Sequence, residues 1–104
     1  MIVVSVVEDR DSVKSISVKG HGNMGFGKDI VCAGVSSCFV GALNALRDEK
    51  CFRFKVKEGD SSVVALSELS EHDKIVLETL MVQLVTISQA YPDTVKVEVS
   101  RKEG

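Results

Sequence analysis

The chain has 104 residues, of which 44% are apolar and 27% charged, and it carries a net charge of −2. That is an ordinary globular balance for one domain, large enough to bury roughly 60–70% of its unfolded surface without metal or disulfide staples. The slightly acidic charge leaves no broad basic footprint, so direct nucleic-acid binding is not expected. The opening MIVVSVVEDR has neither a basic n-region nor an apolar run long enough for a signal peptide or a membrane span, which points to a cytoplasmic protein. Three cysteines with no C-x-x-C pair argue against a disulfide framework and against a zinc site.

Ile2 to Val7 is a β-branched apolar run and reads as a buried strand, followed by the polar turn Glu8–Asp11. Val13 to Lys19 alternates, with Ile16 and Val18 on one face and Ser15 and Ser17 on the other, so the two strands form a hairpin. Gly20 to Lys28 is a loop. From Asp29 to about Arg47 the chain is apolar almost all round, which predicts a helix buried on most sides. Phe52, Phe54 and Val56 alternate with Arg53, Lys55 and Lys57 as a half-exposed strand. Glu58-Gly59-Asp60 then turns the chain into Val63–Leu66.

Ser70 and Asp73 fit a capping box, with Ser70 as N-cap and Asp73 reaching back to it. The helix they open buries Ile75, Val76, Leu80, Leu84, Val85 and Ile87 and is stopped by Pro92. Val95, Val97 and Val99 alternate with polar residues as a last strand. The order β-β-α-β-β-α-β predicts an α+β domain, a mostly antiparallel sheet of about five strands with two helices packed on one face.

The segment Gly20–Ser37, GHGNMGFGKDIVCAGVSS, concentrates the chemistry. Cys32 falls in the first turn of a helix that starts near Asp29, where unpaired backbone N–H groups and the helix dipole favour an anion. His21, at the other end of the loop, is a candidate general base for that thiol and a later acid toward a leaving amine. Gly20, Gly22, Gly25 and Gly27 lie within eight residues, a density expected of a mobile loop able to close over an extended peptide. Phe26 is either a plug against the core or part of an apolar substrate pocket. Asp29 reads as a helix N-cap, with orientation of His21 as the alternative. Ser36, at i+4 from Cys32, either bonds near the thiolate or back to the Cys32 carbonyl. Cys38 and Cys51 read as core or edge residues, and His72 as a surface residue.

A competing pattern is present. Gly20–Gly25 is formally G-x-G-x-x-G, and Gly22–Lys28 is formally G-x-x-x-x-G-K. The residue after Lys28 is Asp29, not the Ser or Thr that would bind Mg²⁺, and it would set a carboxylate against phosphate. No parallel β-α-β unit with an acidic residue at its second strand follows.

GHGNMGFGKDIVCAGVSS resembles the signature of the ribosomal-processing cysteine protease family, Prp, with Gly22 and Gly34 standing where its members commonly have alanine. The resemblance implies that His21 and Cys32 are the catalytic pair and that Asp29 and Ser36 support the site. It implies an endopeptidase that removes a short N-terminal extension from a bacterial large-subunit ribosomal protein (L twenty-seven), acts without metal or cofactor, and forms a homodimer. A non-catalytic dimeric accessory module for ribosome assembly, with Cys32 inert, is the alternative from another functional class.

Overall fold

The computed structural model describes residues 1–20 and 28–102, the side chains of Lys28 and Asp29 excepted. β1 (Ile2–Asp9) and β2 (Ser12–Lys19) form an antiparallel hairpin. Its reversal is confined to Arg10-Asp11, with Arg10 in the left-handed region at φ 60°, as a two-residue turn demands. Pairing jumps from Val7↔Ser15 to Glu8↔Val13, leaving Lys14 as an extra residue on β2. This bulge is why Val13 and Ile16, three apart, both face the core, where strict alternation would put them on opposite faces.

α1 (Lys28–Ala45) follows, then a short 3-10 turn (Glu49–Cys51), β3 (Phe52–Lys55), β4 (Asp60–Ala65), α2 (Glu71–Ala90) and β5 (Val95–Lys102). The sheet order is β3-β4-β2-β1-β5, antiparallel throughout except for the parallel pair β1–β5. The fold is therefore the expected α+β arrangement, its sheet mixed but mostly antiparallel. Both helices lie on one face, over Ile2, Val4, Val6, Ile16, Val63 and Val95. On the opposite face the register aligns Lys55, Ser62, Ser17, Ser5 and Glu98 in one row. No helix among the described residues is long and apolar enough to cross a membrane.

α1 is less buried than its composition predicts. Val31, Val35 and Phe39 are in the core, but Ile30 is 67% and Val40 41% exposed. In a two-layer domain the sheet covers one side of the helix and α2 one flank, and among the described residues no third layer covers the rest.

α2 corrects the sequence reading at three points. Its buried stripe is Asp73, Leu77, Leu80 and Leu84, at spacings of three and four, and Ile75 lies off it at 60% exposure. Val76 and Ile87 pack only partly against the core, and Val85 is half-buried. Ser70 does cap the helix, its hydroxyl accepting the Asp73 N–H at 3.2 Å. The Asp73 carboxylate does not reach back to Ser70. It is fully buried and accepts the N–H groups of Arg47 and Asp48, each at 3.0 Å. These donors lie where the chain leaves α1, and two charge-assisted bonds from them outweigh one local capping contact. The His72 Nε2–H donates to the Ala45 carbonyl at 3.0 Å. The start of α2 thus satisfies the end of α1, while Gly34 near the other end of α1 faces Ile87 of α2.

The end of β2 is equally constrained. Gly20 has φ +96°, and a Cβ there would fall 2.3 Å from the Met1 carbonyl oxygen. Its N–H donates to the Gly59 carbonyl at 2.9 Å. Only glycine fits both the backbone angle and the space.

Replacing Asp73 with Ala strands two donors and is expected to cost about 3 kcal/mol. Asp73→Asn should cost nearly as much, because its NH₂ would face one of those N–H groups. Thermal unfolding by circular dichroism should show both as lower melting temperatures, by roughly 4–8 °C per kcal/mol for a domain of this size. The glycines should diverge in the same assay. Gly34→Ala adds a methyl 3.9 Å from Ile87 Cδ1, an ordinary contact, and should stabilise by about 0.5–1 kcal/mol as a helix-interior change. Gly20→Ala should destabilise by about 1–3 kcal/mol or more.

Candidate active site

Three pieces of chain converge beside Cys32. The floor comes from the first strands, Ile2 of β1 and Val18 of β2, with Gly20 at the end of β2. One wall is α1, which presents Cys32, Ser36 and Val40 at i, i+4 and i+8, with Val35 and Phe39 beneath them. The other wall is the turn between β3 and β4, from Val56 to Ser61. Together they enclose a cleft of about 420 Å³. Its base is apolar, and its exposed rim sets Val40 and Val56 among polar residues, a usual build for a ligand site.

The β3–β4 wall is held by its own hydrogen bonds. The Ser61 hydroxyl accepts the Lys57 N–H at 3.2 Å and donates to the Lys57 carbonyl at 2.9 Å, and the Asp60 N–H donates to the same carbonyl at 3.1 Å. Lys55 Nζ donates to Asp60 Oδ2 at 2.5 Å. This hydrogen bond holds the Asp60 carboxyl below its usual range against the opposing effect of burial, with the charges of Lys55, Lys19 and Lys57 adding smaller contributions in the same direction as the bond. A lowered carboxyl pKa favours the fold above the unfolded value, and that contribution is lost as pH falls through the folded one. The rim pair is therefore intact at neutral pH.

Among the residues singled out from the sequence, Cys32, Ser36 and Gly20 line this one cleft. Cys32 is half-buried and Ser36 exposed. α1 begins at Lys28, one residue earlier than expected, which makes Cys32 its fifth residue. Cys32 therefore opens the second helical turn, and its N–H and that of Ala33 fall within the intrahelical ladder; the N–H groups a helix leaves unused are those of its first turn. His21, Gly22, Gly25, Phe26 and Gly27 lie outside the described residues, as does the Asp29 side chain.

The other polar candidates sit elsewhere. His72 binds the carbonyl end of α1. Cys38 lies in the groove between the two helices beside Ile75 and Val76, and Cys51 closes the 3-10 turn. Residue-by-residue reading missed the whole β3–β4 wall. Glu58-Gly59-Asp60 is recognisable as a turn, but its place at the thiol follows only from the β2–β4 register, which pairs Val18 with Ser61 and Lys19 with Asp60.

With this geometry in hand, similarity to known proteins becomes specific. The ribosomal processing cysteine protease Prp of Staphylococcus aureus is 28% identical over 102 residues, covering 92% of this chain and 96% of its own. A crystal structure of the S. aureus Prp protease with a covalently linked product peptide superposes with a TM-score of 0.81 at 25% identity, over 96% of this chain and all of that one (100%). The crystal structure of SMU.848 from Streptococcus mutans gives a TM-score of 0.79 at 21% identity, over 98% and 96% of the two chains, a likeness of fold. The family model described as cysteine protease Prp matches residues 1–96, almost the entire chain, and the protein accordingly belongs to the Prp family of cysteine proteases.

Proposed function

We propose that this protein is a cytoplasmic endopeptidase that removes the short N-terminal extension of the bacterial large-subunit ribosomal protein L twenty-seven, with Cys32 as nucleophile and His21 as its base. The observation that carries the reading is the half-buried Cys32 thiol lining an apolar cleft beside Gly20. His21 is the next residue in the chain. Support for the substrate comes from the S. aureus relative, which is a ribosomal processing protease and whose structure holds a covalently linked product peptide.

In this mechanism His21 takes the Cys32 proton, and the thiolate attacks the scissile carbonyl to give a tetrahedral oxyanion. Collapse breaks the C–N bond, His21 returns the proton to the leaving amine, and a thioester remains on Cys32. Water, deprotonated by His21, then hydrolyses the thioester, releasing the carboxylate and restoring the thiol. Ser36 and Asp29 support the pair. The segment carrying Gly20, Gly22, Gly25, Phe26 and Gly27 closes over the bound peptide, with Phe26 contributing apolar contact. No metal or cofactor enters the scheme. The active form is a homodimer, and no direct contact with nucleic acid or membrane is required.

A peptide spanning the ribosomal protein's N-terminal extension should be cut at one bond by the unmodified protein. Cys32→Ala and His21→Ala should each lower the rate by about three orders of magnitude or more. Mass spectrometry of the products reads this out, and cleavage that survives either change would overturn the assignment. Iodoacetamide at neutral pH should modify Cys32 at least about tenfold faster than Cys38 or Cys51. Peptide mapping over time measures the three rates.

A further inference from the structure

We infer that Val40, Phe54 and Val56 form a specificity-determining apolar subsite, which seats a large apolar side chain of an extended peptide about four residues from the bond cut at Cys32. The inference rests on the protease reading and adds to it where along the peptide the enzyme selects. Single exposed apolar residues are ordinary. Here Val40 and Val56, 41% and 57% exposed, line the cleft that holds the thiol, and Phe54, 39% exposed, stands two residues before Val56 in the chain.

Their exposure has a structural origin. Phe54 pairs with Val63, Val63 with Ile16, and Ile16 with Val6, so Phe54 ends an apolar row on the helix-covered face of the sheet. Val6, Ile16 and Val63 in that row are buried, but Phe54 on the edge strand is not. Val56 follows two residues later. Its turn is fixed by the Ser61–Lys57 and Asp60–Lys57 hydrogen bonds and the Lys55–Asp60 pair, not by packing of Val56 itself. An apolar side chain held rigidly at a cleft mouth is pre-organised for a ligand.

Spacing sets the position. Cys32, Ser36 and Val40 form one stripe of α1 along the cleft, and eight residues at about 1.5 Å each put Val40 about 12 Å from Cys32 along the helix. An extended peptide advances about 3.3 Å per residue, so that length takes about four residues. The occupant is thus the same peptide whose carbonyl meets Cys32. Among the exposed lining residues Lys57 and Glu58 are charged and Val40 and Val56 are apolar, so the valines are the place at the cleft mouth for its apolar residue.

The test fixes the register without requiring proteolysis. Short peptides carry an electrophile that alkylates Cys32, at the C-terminal end in one series (vinyl sulfone) and at the N-terminal end in the other (chloroacetyl). A single Leu or Phe is moved residue by residue through an otherwise Ser-Gly sequence. The rate of Cys32 alkylation should peak, in one series, when the apolar residue is about four positions from the electrophile, by about tenfold over the Ser-Gly peptide. Val40→Asp and Val56→Lys should flatten the peak, removing the roughly tenfold advantage of the apolar residue over the Ser-Gly peptide, while leaving the melting temperature unchanged. Val56→Lys should also create a preference for Glu at that position. A rate that ignores the position of the apolar residue, or a peak that survives both substitutions, overturns the inference. Failure of the protease reading itself would show separately, as unmodified peptides that are never cut.

Discussion

The cleft depends on how β2 ends. This strand is the middle of the sheet, hydrogen-bonded to β1 on one side and β4 on the other, so its last residue is fixed relative to both neighbours. Gly20 then turns the chain in a left-handed conformation against the Met1 carbonyl, with its N–H spent on Gly59. The first strand and the β3–β4 turn are thereby tied to one point, Gly20. A side chain at this position would push the Met1 backbone away and open the floor formed by Ile2 and Val18. Glycine here is a packing requirement as much as a conformational one.

α1 can afford to leave one side uncovered because it is anchored elsewhere. The Asp73 carboxylate and the His72 imidazole bind its carbonyl end and the residues just beyond, while Val31, Val35 and Phe39 sink into the sheet. Gly34 of α1 faces Ile87 of α2. With the ends and the underside secured, the stripe Cys32–Ser36–Val40 need not contribute burial. That freedom is what leaves a thiol half-buried at the lip of a cleft, where a core cysteine would be inert. The exposed Val40 and Val56 along the same lip, and Phe54 on the edge strand β3, follow from the same economy of layers: two helices cannot roof a five-stranded sheet to its edges.

Much of this was legible from local pattern. The hairpin, the serine N-cap at Ser70, the stop at Pro92 and the α+β order all follow from residues close together in the chain. Errors arose wherever a distant partner won. Asp73 looks like a capping residue because its nearest donor is local, yet Arg47 and Asp48 supply two donors that no local pattern announces. Ile75 looks buried by its chemistry, but the stripe that meets the sheet runs through Leu77, Leu80 and Leu84. The composition of α1 suggests burial all round, and only the count of layers shows otherwise.

By itself the sequence determined the fold class and the family: strand alternation and helix punctuation are short-range, and the Gly20–Ser37 motif is contiguous. Tertiary structure decided what surrounds the thiol. Ser61 reaches Val18, and Asp60 reaches Lys19, through strand register; Gly59 meets Gly20 through a backbone hydrogen bond that any residue type can accept. Backbone pairing carries almost no side-chain signature, so the wall facing Cys32 became visible only when the sheet was assembled.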